Sequence, residues 1–286
     1  MAIRPYNIYM PAIDLARLRK QTSRLVDFFF VPDEFLRHLR EILDYYVNRT
    51  LRTVEAVAPG SNLSTYHTSP VILRQIELEL AQVASNSPAA ALDLADLLWD
   101  EGYLETCLLA AFLLGRIPPQ EEQSERLLAR LTAWTQQVRD PSVRVALLTT
   151  SLARLRQETP KQFLELIGEW LHPARTRTWS NGIQALLPLL TDPGFENLPP
   201  VLNILEPVFE SAPATLQVDL GDLILALYKK SPTETTFFLR QLLSNPENQM
   251  TNITLRRLSS LFPEELLADL RDLLRARPAS STPTGG

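Results

Sequence analysis

Chemistry in a chain of 286 residues must draw here on three histidines, one cysteine and four tryptophans, set among many carboxylates and arginines. His38 lies beside the apolar stripe of a helix, His67 in a long irregular stretch and His172 at a helix end. Each reads as a structural or exposed residue rather than a ligand. The sequence holds no H-E-x-x-H, no C-x-x-C, no P-loop and no G-x-G-x-x-G, so the usual metal, redox and nucleotide chemistries have no residues to run on. No metal and no cofactor is expected. The carboxylate that stands out is Asp140, placed directly before Pro141.

The remaining candidates suit recognition rather than bond breaking. Arg175, Arg177 and Trp179 fall in the polar run Arg175-Thr176-Arg177-Thr178-Trp179-Ser180-Asn181. Arginines bind phosphates and tryptophan can stack on a base. Core packing is the competing role for Trp179, and it is the favoured one for Trp99 and Trp170, whose sequence neighbours are leucines. Arg144, Arg154 and Arg156 share a predicted helix but spread around it at 100° per residue, which favours a solvated face.

Charge is uneven along the chain. The net charge is −5, yet residues 1–52 carry nine Lys/Arg against six Asp/Glu. Residues 93–125 carry one against eight, and residues 126–177 nine against four. A globally acidic protein is a poor non-specific nucleic-acid binder. The basic stretches keep specific contact open, and the acidic stretch suits a protein partner.

These residues must be positioned by helices. Only 9 glycines occur, while apolar residues recur at helical spacing, as in Leu15, Leu18, Leu25 and Phe29. Ser69-Pro70, Ser87-Pro88, Asp140-Pro141, Thr159-Pro160, Asp192-Pro193, Ser231-Pro232 and Asn245-Pro246 each place a capping side chain before a proline suited to N1. Helices are expected near 70–85, 88–101, 104–116, 121–138, 141–157, 160–171, 175–191, 197–211, 214–230, 232–244, 249–261 and 263–276. Pro188 and Pro207 fall inside two of them.

Short helices and short turns at this spacing predict an all-α, right-handed solenoid of antiparallel helix pairs with HEAT-like repeats. It would form a single elongated domain over 1–277, with an irregular loop near 53–69 and a disordered tail at 278–286. One cysteine, no signal-like start and no long apolar run predict a cytoplasmic protein without a membrane partner.

The stretch Ala91-Leu92-Asp93-Leu94-Ala95-Asp96-Leu97-Leu98-Trp99, followed by Tyr103-Leu104-Glu105 and Leu108-Leu109-Ala110-Ala111, resembles the bacterial DNA alkylation repair family. These are HEAT-like-repeat alkylpurine DNA glycosylases, and the resemblance covers roughly residues 70–260. It implies a basic concave channel that cradles duplex DNA. It also implies catalysis by an aspartate one turn after a tryptophan, helped by a downstream arginine and a second tryptophan. The matching helix, Ser142-Val143-Arg144-Val145-Ala146-Leu147-Leu148, holds neither tryptophan nor aspartate, and Asp140 reads as its N-cap. Arg175, Arg177 and Trp179 stand where the downstream pair is expected.

The reading is therefore a non-catalytic member that binds through its concave face, with Arg144, Arg175, Arg177 and Trp179 as nucleic-acid contacts. The alternatives are an active glycosylase using Asp140 and a protein–protein scaffold without DNA contact.

Overall fold

In the computed structural model, residues 14–47, 61–119, 123–245 and 249–275 are described. They form α-helices joined by turns, short 3-10 segments and two isolated bridges, with no β-strand among them. The fold is all-α. The expected tail at 278–286 and residues 53–60 of the expected loop lie outside the described residues.

Packing divides the chain into two compact units, Met1–Arg154 and Leu155–Gly286. The first contains α1 (Leu15–Val26), α2 (Pro32–Tyr45), α3 (Pro70–Asn86), α4 (Pro88–Asp100), α5 (Leu104–Leu114), α6 (Ser124–Gln137) and α7 (Pro141–Thr149). Each helix packs on its neighbour or next neighbour in sequence: α1 on α2 and α3, α4 on α2, α3 and α5, and α7 on α5 and α6. The centre is α5. Its sequence LETCLLAAFLL is apolar all round, and every residue but Leu108 is buried. A helix without a polar face is stable only with neighbours on all sides.

Two glycines permit tight turns beside it. Gly102 takes φ +72, a left-handed conformation that costs glycine little, and ends α4. Gly115, just past α5, lies so close to the turn after α7 that an added Cβ would stand 2.2 Å from the Thr150 carbonyl oxygen.

A short helix α8 (Ala153–Glu158) spans the division. The second unit then continues with α9 (Pro160–Trp170), a 3-10 segment Pro173–Thr178, α10 (Trp179–Thr191), α11 (Pro199–Ser211), α12 (Gln217–Lys230), α13 (Pro232–Ser244), α14 (Gln249–Leu258) and α15 (Glu264–Arg275). The packing again joins next neighbours: α9 with α11, α10 with α12, α11 with α13, α12 with α14 and α13 with α15.

Prolines open α3, α4, α7, α9 and α13 at the expected positions. Asp140 and Ser231 also supply the cap hydrogen bonds, whereas Ser69, Ser87 and Thr159 do not. Thr159 instead turns its hydroxyl to the Leu155 carbonyl at 3.2 Å. Asp192-Pro193 corrects the expectation. Asp192 accepts the Gly194 N–H at 2.9 Å in an Asp-Pro-Gly turn, and the next helix waits until Pro199. Short polar side chains that bond local backbone favour such turns over helix starts. Pro246 lies outside the described residues.

The helix expected over 141–157 breaks at 150–152. There Thr149 and Ser151 donate their hydroxyls to the Val145 and Leu147 carbonyls, at 2.7 and 2.6 Å, and such back-bonding loosens a helix.

Candidate functional site

Residues 61–68 run as an irregular strap against the first unit, and two buried carboxylates hold them. Glu105, only 2% exposed, stands in the first turn of α5. It accepts the Thr65 hydroxyl at 2.6 Å and the main-chain N–H groups of Tyr66 and Thr68 at 3.0 and 3.3 Å. The Leu104 N–H donates to the Ser64 carbonyl at 2.9 Å, so side chain and backbone fix the same register. Tyr66 stacks on Tyr103 with ring centroids 4.4 Å apart. Its hydroxyl donates to Glu101, which is also paired with Arg40. Burial, and next the Glu101 carboxylate, push the Tyr66 phenol up to about 12.

Asp140 is the second anchor. Its Oδ1 accepts the N–H groups of Ser142 and Val143 at 2.9 and 3.1 Å, the geometry of an N-cap. Its Oδ2 accepts the Asn62 N–H at 2.7 Å. Burial pushes this carboxyl's pKa up, but the Ser61 hydroxyl and the three N–H groups favour the ionised form more strongly and leave it below the ordinary value. Asp140 is 2% exposed, and its donors are all main-chain groups or Ser61.

The nearby thiol shares this surrounding. Burial pushes Cys107 up to about 12, and the Asp140 charge adds to the effect. Among the described residues no group of three or more His, Cys, Asp or Glu side chains could hold a metal ion.

The sequence-predicted binding residues fall in both units. Arg144 is half-buried on α7, in the first unit. Arg175 and Arg177 are exposed on the 3-10 segment Pro173–Thr178 of the second unit, and Arg175 reaches Glu169 at 3.5 Å. Trp179 corrects its expected role. It is fully buried, and its indole N–H donates to the His172 carbonyl at 3.0 Å. A ring with no exposed face gives a base nothing to stack on. The signal for burial was in the sequence, since Trp179, Ile183 and Leu186 follow at helical spacing and all three are core.

Trp170 is likewise core. Trp99 is half-exposed and stacks on the buried Trp134 at 4.4 Å with 2° between the ring planes. Beside that stack, α4 and α6 are bridged by Asp93–Arg126 at 2.9 Å and Asp96–Arg130 at 2.8 Å. Spacings of three and four put each pair on one helix face, a signal that reading charge in blocks passes over. Four of the eight acids in 93–125 (Asp93, Asp96, Glu101 and Glu105) are therefore engaged inside the first unit.

No curated protein and no solved structure matches this chain. A family model for DNA alkylation repair enzymes matches residues 69–259, about two thirds of it, from the residue before α3 to just past the end of α14. On that extent of match, the chain belongs to the DNA alkylation repair enzyme family.

Proposed function

We propose that this protein is a HEAT-like helical-repeat protein of DNA repair that binds duplex DNA without excising bases. The observation that carries the reading is the state of Asp140. The helix matching the family's catalytic one has this single carboxylate at its start, and both of its oxygens are committed to the cap and the strap. A carboxylate that stabilises positive charge on a departing sugar must face the substrate. Asp140, buried under residues 61 and 62, faces the protein.

Packing of each helix on its next neighbour within each unit is what a stack of HEAT-like helix pairs requires, and it supports that part of the reading. Arg175 and Arg177, exposed on a short segment between α9 and α10, are the best-placed phosphate contacts, with Arg144 a third. The scaffold reading drew on the acidic stretch 93–125, and internal pairing of Asp93, Asp96, Glu101 and Glu105 weakens it. No helix among the described residues is long and apolar enough to cross a membrane.

The reading is tested by incubating the protein with alkylated duplex and measuring free base. It predicts no release above the protein-free blank. Base release that disappears in a folded Asp140→Asn variant would establish the glycosylase alternative.

A further inference from the structure

The basic surplus of the first 52 residues is concentrated on one helix, outside the segment that matches the family. Between Leu15 and Val26, α1 carries Arg17, Arg19, Lys20 and Arg24 and no carboxylate. All four cations are exposed. At 3.6 residues per turn, Arg17, Lys20 and Arg24 lie within about 60° of one another around the axis. Leu18, Thr22 and Leu25 occupy the buried side.

Several arginines elsewhere are drawn into ion pairs: Arg37 with Glu34, Arg40 with Glu101, Arg126 with Asp93, Arg130 with Asp96 and Arg240 with Asp269. Among the described residues no cation of α1 joins one. Arg17 instead lies over the Tyr45 ring, 4.3 Å from its centroid. A guanidinium held face-on to a ring keeps its edge N–H groups free to donate. The stripe borders a groove of about 550 Å³ between α1 and α2, lined in part by Arg24, Phe28, His38, Glu41 and Tyr45. Glu41 there is engaged by His38 at 3.1 Å and Arg37 at 3.6 Å. Asp27, the C-cap of α1, also lines the groove, and Asp14 is committed to the N-cap, accepting the Ala16 and Arg17 N–H groups.

We infer that α1 is a separate contact for the phosphate backbone of duplex DNA, with Arg17, Lys20 and Arg24 each neutralising a phosphate. This rests on the duplex binding proposed above and adds a surface outside residues 69–259. Seven residues of helix span about 10 Å. Duplex DNA presents one charge per ~1.7 Å of its axis, so an unpaired cation stripe of that length meets phosphates whatever the sequence. An acidic protein partner would need its carboxylates at matching spacing. An anionic membrane would use the same charges, and it is an outcome of the test.

The full chain, an Arg17→Gln/Lys20→Gln/Arg24→Gln variant and a charge-conserving Arg17→Lys/Arg24→Lys variant are titrated against a plain duplex at several salt concentrations. Thermal unfolding confirms that all three fold alike, as expected for exposed positions. Loss of three phosphate contacts flattens the slope of log K against log salt by about 2.7. The charge-conserving variant keeps the parent slope. A parent slope retained by the Gln variant overturns this inference and leaves duplex binding standing. Absence of duplex binding by the parent overturns both readings. Binding to phosphatidylserine vesicles that the Gln variant loses, without duplex binding, reassigns the stripe to a membrane surface.

Discussion

Asp140 Oδ2 accepts the main-chain N–H of Asn62 at 2.7 Å, joining positions 78 residues apart in sequence. The same carboxylate caps α7, so one side chain organises a helix start and anchors a strap. Asp140→Ala strands the N–H groups of Asn62, Ser142 and Val143 together. Loss of a cap and of charge-assisted hydrogen bonds predicts a destabilisation of about 2 kcal/mol or more, read from urea unfolding at neutral pH.

The pH dependence of that difference has a definite sign. The native Asp140 carboxyl is held below its ordinary value, and an unfolded aspartate titrates near ~3.9. Its contribution is complete above that pH and is lost as pH falls through the lower native value. The gap between the parent and Asp140→Ala should be constant from about pH 5 to 8 and narrow only below about pH 4. Unfolding curves in acid check this, and a gap that narrows near neutrality would mean another group sets it.

Gly115→Ala should be far more harmful than its size suggests. The added Cβ would meet the Thr150 carbonyl oxygen at 2.2 Å, a main-chain atom, so the turn after α7 or the end of α5 must move. Overpacking of this kind costs about 1–3 kcal/mol. Gly168→Ala serves as the control, because its Cβ would meet nothing nearer than an Ile204 methyl at 3.8 Å.

Cys107 should resist alkylation in the native protein. Burial raises its thiol to about 12, leaving almost no thiolate at pH 8, and only a thiolate reacts. Maleimide or iodoacetamide labelling, followed by mass spectrometry, should be slow without denaturant and fast in guanidinium. The ratio of the two rates then reports how often α5 opens.

Much of this fold is readable in the chain. Prolines behind small polar residues marked α3, α4, α7, α9 and α13 because the cap chemistry is local. Asp192-Pro193 misled because a glycine two residues on captured the same side chain. The break after Thr149 depends on hydroxyls turning back to carbonyls inside a helical pattern, and periodicity cannot register that.

The site was legible in part. Asp140 as an N-cap follows from its place before Pro141, yet its bond to Asn62 is long-range and no pattern announces it. Trp179 shows the reverse failure. Its immediate neighbours are polar and basic, while the core residues that share its helix face, Ile183 and Leu186, lie one and two turns ahead. The cations of α1 can be counted in the sequence, but that none of them joins an ion pair among the described residues required the fold.

The duplex binding we propose for this protein works through charge. The direct measurement is equilibrium binding of the full chain to a plain and an alkylated duplex of one sequence across a salt series. Measurable binding to both is expected, with log K falling linearly as log salt rises. Replacing Arg175 and Arg177 by Gln should weaken both complexes equally and flatten the slope by about 1.8. Binding to neither duplex, or affinity independent of salt, would contradict it.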